Sequence, residues 1–381
     1  MRRFFLLSIF LIIGCEEREV IIPENPCPDV QSAIDNYRSG NLLIKSGCEV
    51  LISKDLSIRN GKMEVEEGGV LYFKNGGLII EKDAELIVYG SIDKPVFFTS
   101  QYLDPLRGDW KGIIINGYAS IEGGIVEFAD DGISLSGELI MIDSEIRRNL
   151  FYGISMNDIN ALFEINRSKF YENLSGDMLL FSDALTLLSP GLELNGFIVV
   201  DGRDGIIHSG DWQPYNYLFI SDVEILNGAH ISVKSGAKIY VETGYGILPY
   251  EIKVKDGASF FIKGASFEAS DIDYCWGGIV FYPEANPSTI LDSKVYDGGN
   301  GYDEANISVF SDLTIKNSEI GRSCSDGIYI GEEGLLSMSD SYVANNYRYG
   351  VYVDCGGTFY DIRNEYSGNL GGDIAYPTVC P

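Results

Sequence analysis

The sequence predicts an all-β solenoid, in which short parallel strands wind through about 13 coils around one continuous core. Three observations predict it. One short segment recurs from Ser144, Ser168, Ser318, Ser341 and Asn364, and the last three starts are 23 residues apart. The segment ends in period-two alternation, as in Ile154-Ser155-Met156, Ile328-Tyr329-Ile330 and Val351-Tyr352-Val353, which is a strand pattern. Helical periodicity is nearly absent; the best stretch runs from Asp29 to Arg38, with Asp29 as the expected N-cap.

From the N-terminus, residues 1–14 read as a secretory signal. Arg2 and Arg3 precede an apolar run from Phe4 to Ile13, then Gly14 and Cys15. That run is too short to span a bilayer. Leu11-Ile12-Ile13-Gly14-Cys15 resembles the bacterial lipobox. The resemblance implies cleavage before Cys15 and a diacylglycerol on its sulfur, which would hold the chain at a membrane surface. It also implies the cell envelope, and Glu16 rather than Asp favours the outer membrane. Residues 15–26 are acidic and read as a tether. Residues 27–50 are expected to cap the solenoid, and 51–381 to form it.

Within each repeat a Gly or Asp precedes the strand, as suits a turn with φ > 0. Asn149, Asn173, Asn346 and Asn369 share one position, with Ser323 in the remaining copy. Stacked coils would place these amides about 4.8 Å apart, as a ladder. Trp110-Lys111-Gly112-Ile113 and Trp276-Gly277-Gly278-Ile279 lie 166 residues apart, each after a strand-rich stretch, which suggests internal duplication. Both indoles serve either as sugar platforms or as packing against the solenoid. From Ser182 to Tyr217 the pattern blurs, and an insertion is expected at Ser209–Asn216.

Six cysteines remain beside Cys15, in a secreted context that allows disulfides. Cys27 and Cys48 bracket the helical stretch. Cys355 and Cys380 sit nearly one period apart, at one place on adjacent coils. Cys275 and Cys324 are left, two coils and about 10 Å apart. No spacing suits zinc.

The repeat pattern resembles the right-handed parallel β-helix, the pectin-lyase-like superfamily. Gly68 to Phe73, Leu86 to Gly90, Pro95 to Thr99 and Gly108 to Ile113 also resemble bacterial surface β-helix proteins. The resemblance covers most of residues 60–376 and implies the fold, with little said about activity. The N-T-D, paired-Asp, G-H-G and R-I-K motifs of polygalacturonases with this fold do not occur, and only His208 and His230 offer imidazole chemistry.

Net charge is −28 with no basic stripe, which argues against nucleic acid and repels polyanions such as pectate and alginate. The densest constellation is Asp201, Arg203, Asp204 and His208, followed by Asp211 and Trp212. It reads as a carboxylate pair for glycoside chemistry, with Trp212 stacking on a sugar, or as polar turn chemistry. Gly298 to Asn306 matches a calcium-binding nonapeptide once, with Asn300 and Asp303 as ligands; the other reading is a Gly-rich loop. The 24 Tyr suit a binding face or a half-buried pleated surface.

The expectation is a monomeric, lipid-anchored, non-catalytic solenoid at the cell surface, adhesin-like or a scaffold, presenting a long face to a glycan or protein. It needs no cofactor unless calcium fills the Gly-rich loop. The alternative is a polysaccharide lyase or glycoside hydrolase working in the groove.

Overall fold

The computed structural model describes residues 18–243, 249–300 and 304–380. Residues 1–17, where the signal and the lipidated Cys15 are expected, and Asp303 lie outside the described residues. The described residues form a parallel β-solenoid with one α-helix among them, Pro28–Asp35. The helix starts earlier than the periodicity implied. Cys27 is its N-cap and Pro28 opens it, because a missing N–H and a fixed φ suit the first helical turn.

One sheet, here sheet III, runs the whole length with fourteen strands, from Leu56–Ile58 to Glu365–Ser367. The solenoid therefore has one coil more than expected. In the N-terminal half each coil passes through sheet I, sheet II and then sheet III. Sheet I has six strands (Leu42–Ile44 to Leu162–Asn166) and sheet II seven (Glu49–Ile52 to Glu193–Leu194). In the C-terminal half the order is sheet IV, sheet III, sheet V. Sheet IV has seven strands (Gly210–Trp212 to Thr358–Ile362), as has sheet V (Val223–Ile225 to Gly372–Ala375). The first coil thus opens at Leu42, inside the stretch expected to be cap.

Among the described residues every pairing between these strands is parallel and in register, so one interior column runs Met63, Leu86, Ala119, Leu139, Phe163. Period-two alternation sends these side chains inward and their neighbours outward, and all five are buried. Each buried aliphatic side chain contributes about 1.5–3 kcal/mol, and only stacked coils provide that burial.

The turns stack as regularly as the strands. Asn149 Nδ2 donates to Asn173 Oδ1 at 2.9 Å, and Asn346 Nδ2 donates to Asn369 Oδ1 at 2.9 Å. Ser323 N donates to Asn346 Oδ1 at 3.1 Å. Left-handed residues at the neighbouring turn are Asp143, Arg167, Asp292, Asn317, Asp340 and Arg363. Their side chains pair along the axis: Arg167 with Asp143, Asn317 with Asp292, Arg363 with Asp340. Ion pairing between coils helps hold a conformation that non-Gly residues otherwise resist.

Near residues 181–215 the repeat changes phase. Before it, the Asn turn joins sheet II to sheet III; after it, the same turn joins sheet III to sheet V. The tryptophan motifs show the same offset. Trp110 leads into Ile113–Ile115 of sheet III, and Trp276 into Gly278–Phe281 of sheet V. At this seam a 3-10 turn, Asp183–Leu187, stands between sheet III and sheet II where earlier coils have a strand of sheet I. Sheets I and II both end there.

Two sequence expectations need correction, and one open choice is decided. Ser209–Asn216 is no insertion, since Gly210–Trp212 opens sheet IV and pairs with Ile231–Val233. Of the two readings open to the motif tryptophans, the structure takes packing against the solenoid. Trp110 is 1% and Trp276 0% exposed, and their indoles donate inward to Glu127 O at 2.9 Å and Tyr296 O at 2.8 Å. Cys275 and Cys324 form a disulfide with Cα atoms 6.2 Å apart, not about 10 Å. The intervening coil turns there at Gly298 and Gly299. A Cβ on Gly299 would meet Ser323 Oγ at 2.2 Å, so the bare backbone lets the bridge close across it. Cys27–Cys48 and Cys355–Cys380 are also bonded.

Buried carboxylates at the turns make stability depend on pH. Burial pushes the Asp177 carboxyl above its ordinary value of 3.8, against hydrogen bonds from Gly196 N and Asn173 that lower it. The folded state therefore holds this proton more tightly than the unfolded chain. That contribution is full below pH 3.8 and fades as pH rises through the folded value. Asp177→Asn should cost more stability at pH 3 than at pH 7, by paired thermal melts; an equal loss at both would contradict it.

Candidate functional site at the seam

The seam gathers the polar residues that the sequence singled out, but divides them among three tasks. Asp201 ends the strand Ile198–Asp201 of sheet III and pairs with Arg203, whose Nε donates to Asp201 Oδ2 at 2.7 Å. Burial would raise the Asp201 carboxyl, but the Arg203 pairing outweighs it and holds it below the usual range. Asp204 spends both oxygens on the 3-10 turn. Oδ1 accepts from Ser182 N at 3.0 Å and Ser182 Oγ at 2.7 Å, and Oδ2 accepts from Asp183 N at 3.1 Å. Asp183 N is one of the free donors that a helical start leaves over, whereas Ser182 N is shared with Asp201 O at 3.0 Å.

His208 pairs with a residue the sequence reading missed. Its Nδ1 lies 2.5 Å from Asp183 Oδ2. Asp183 Oδ1 also accepts from Ile207 N at 2.9 Å and His208 N at 3.0 Å. In the neutral imidazole this arrangement puts the proton on Nδ1 and leaves Nε2 as an acceptor. Asp183 precedes His208 by 25 residues, about one coil, so subtracting the repeat period from His208 would have found it.

Two clefts flank Asp204. One, of about 560 Å³, is lined by Ile159, Leu162, Asp183, Leu187, Ile207 and His208, among others. The other, of about 590 Å³, is lined by Arg203, Asp204, Asp222, Glu224 and Tyr250, among others. Both volumes fall in the range of small-ligand sites. The first exists because the 3-10 turn replaces a strand of sheet I and leaves Leu162 half exposed at the broken edge.

Trp212, which the glycoside reading would stack on a sugar, is fully buried. It packs edge-on against Phe219 and Phe260, with ring centroids 5.5 and 5.3 Å away. Asp211 is paired with Lys234 at 2.8 Å. On sheet V, Tyr329 and Tyr352 are parallel within 5° and 5.9 Å apart. Their facing surfaces are turned to each other along the axis, which suits mutual packing more than stacking on a sugar. Asn300 Nδ2 donates to Cys275 O at 3.4 Å, and no acid, His or Cys group able to hold a metal occurs among the described residues.

Two family models match the chain: a right handed beta helix region over residues 204–369 and a pectate-lyase like beta helix domain over residues 32–139. These matches and the parallel coils support the pectate-lyase-like β-helix superfamily. The two matched stretches of this β-helix leave residues 140–203 between them, a stretch that includes Asp183 and the 3-10 turn.

No curated protein matches the β-helix. Among solved structures it is similar to a tailspike protein of E. coli bacteriophage HK620 in complex with pentasaccharide. That match is 12% identical with a TM-score of 0.41, over 92% of this chain and 78% of that one. It is also similar to the A-module of the Azotobacter vinelandii mannuronan C-5 epimerase AlgE4, at 12% identity and TM-score 0.27, over 93% and 95%. A third is a GH87 alpha-1,3-glucanase from Streptomyces thermodiastaticus, at 14% identity and TM-score 0.23, over 87% and 63%.

Proposed function

We propose that this β-helix is a lipid-anchored envelope protein that binds or supports a glycan or protein partner and does not cleave it. The observation that carries the reading is the use of Asp204. Both of its oxygens are occupied by the turn at Ser182–Asp183, and Asp201 is neutralised by Arg203. A glycosidase needs one carboxyl to give a proton and a second to attack or activate water. Neither aspartate is left for that work. Anchoring through Cys15 follows from the lipobox-like Leu11 to Cys15.

One observation favours a second reading. The Asp183–His208 pair lines a cleft, with Nε2 available as a general base. A glycan array and a polysaccharide cleavage assay on the same protein separate the two. Binding without cleavage is the expected result. Cleavage lost in His208→Ala, with the thermal melt unchanged, would overturn the non-catalytic reading. Calcium is tested in the same array, since a dependence on it would assign the loop of Asn300 and Asp303.

A further inference from the structure

The segment read as a tether is strapped to the solenoid. Arg18 makes a two-pronged pair with Asp109, at 2.5 and 2.9 Å, and its guanidinium lies 4.0 Å from the Tyr102 ring centroid. Val20 bridges Tyr102 in antiparallel fashion, and Ile21 N donates to Gln101 O at 2.7 Å. Glu24 N then donates to Glu49 Oε2 at 2.8 Å, and Pro26 bridges Glu49. The strap thus runs from the end of Val96–Ser100 to the start of Glu49–Ile52, over the first three strands of sheet II. Asp109 is buried and also accepts from Ser100 Oγ at 2.7 Å and Leu106 N at 2.9 Å. The latch is therefore built into the loop: burial pulls the Asp109 carboxyl upward, and its bonds to Arg18, Ser100 and Leu106 outweigh that and hold it below its ordinary value.

Apolar side chains surround the latch and point to solvent. Ile22 is 83%, Leu103 58% and Leu106 56% exposed. From the proposed lipid at Cys15 to Arg18 is three residues, which reach roughly 11 Å when extended. A chain with net charge −28 gains nothing from an anionic surface, so any close contact with a bilayer has to be apolar.

We infer that the strap lays the N-terminal side of the solenoid against the bilayer, with Leu103, Leu106 and Ile22 entering the interface beside the lipid. The inference rests on the anchor reading. The latch fixes orientation, because a lipid on a free tether would leave the solenoid to tumble.

The test uses full-length protein reconstituted into phosphatidylethanolamine–phosphatidylglycerol vesicles carrying brominated lipids. Leu106→Trp is compared with Ile272→Trp, an exposed site in the other half. The three native tryptophans are buried and give both variants the same background. Quenching at least twofold greater at position 106 is expected, falling to the level of position 272 when Asp109→Asn loosens the latch. The mass of the N-terminal peptide is read in parallel. A peptide without lipid overturns the anchor reading and this inference with it. A lipidated protein with equal quenching overturns this inference alone, and a doubled mass by light scattering would then give the patch to a second copy.

Discussion

Replacing Trp110 by alanine is expected to cost about 3–5 kcal/mol, as for other buried aromatic truncations, and to loosen the N-terminal coils before the rest. The indole stacks on Phe73 with centroids 4.1 Å apart and planes within 10°. Its Nε1 satisfies Glu127 O, a carbonyl that alanine would leave without this donor. Gly112 follows two residues later at φ +90, where a Cβ would meet Asp131 O at 1.9 Å, so this turn has little freedom to collapse into the cavity. Because coils contact only their neighbours, the damage should stay local. Hydrogen exchange should quicken first in Leu71–Phe73, Ile113–Ile115 and Val126. Uniform loss of protection along the chain would contradict the near-neighbour picture.

Asn346→Leu should cost about 2–4 kcal/mol, from several lost hydrogen bonds and the buried donors left behind. The side chain is 0% exposed and links three coils. Its Oδ1 accepts from Ser323 N, and its Nδ2 donates to Asn369 Oδ1. Leucine fills a similar volume but leaves the Ser323 amide without an acceptor in a buried turn. The readout is the urea midpoint, compared with Asn369→Leu. Asn369 ends its ladder in the last coil, is only half-buried, and should cost less. Equal losses would mean the ladder is not cumulative.

The parts of this protein legible in the sequence are those whose signal lies along the chain. Alternation in Ile154–Met156 or Val351–Val353 is a property of adjacent residues, and a 23-residue period is visible wherever the turn residues repeat. The fold and the Cys27–Cys48 and Cys355–Cys380 bonds follow from such spacing. The site did not, because neighbours in a solenoid are one coil apart. Asp201, Arg203, Asp204 and His208 look like one cluster in the sequence, yet in space Asp204 serves Ser182, and His208 serves Asp183. The sugar-stacking reading of Trp212 fell for a related reason. Its direction is set by the strand Gly210–Trp212 and the aromatic residues of later coils, which its neighbours in the sequence do not show.

The offset between the two halves has an engineering consequence. Turn chemistry that borders one edge of sheet III before the seam borders the opposite edge after it. A splice joining the two halves by matching their sequence motifs would therefore rotate the second half by a third of a turn. It would point inward residues at the wrong neighbours unless one strand were added or removed. The irregular stretch from Ser182 to Gly210 works as a gearing piece: it converts one angular setting of the repeat into the next while sheet III passes through uninterrupted. Chimeras that keep this piece should fold, and those that delete it should not.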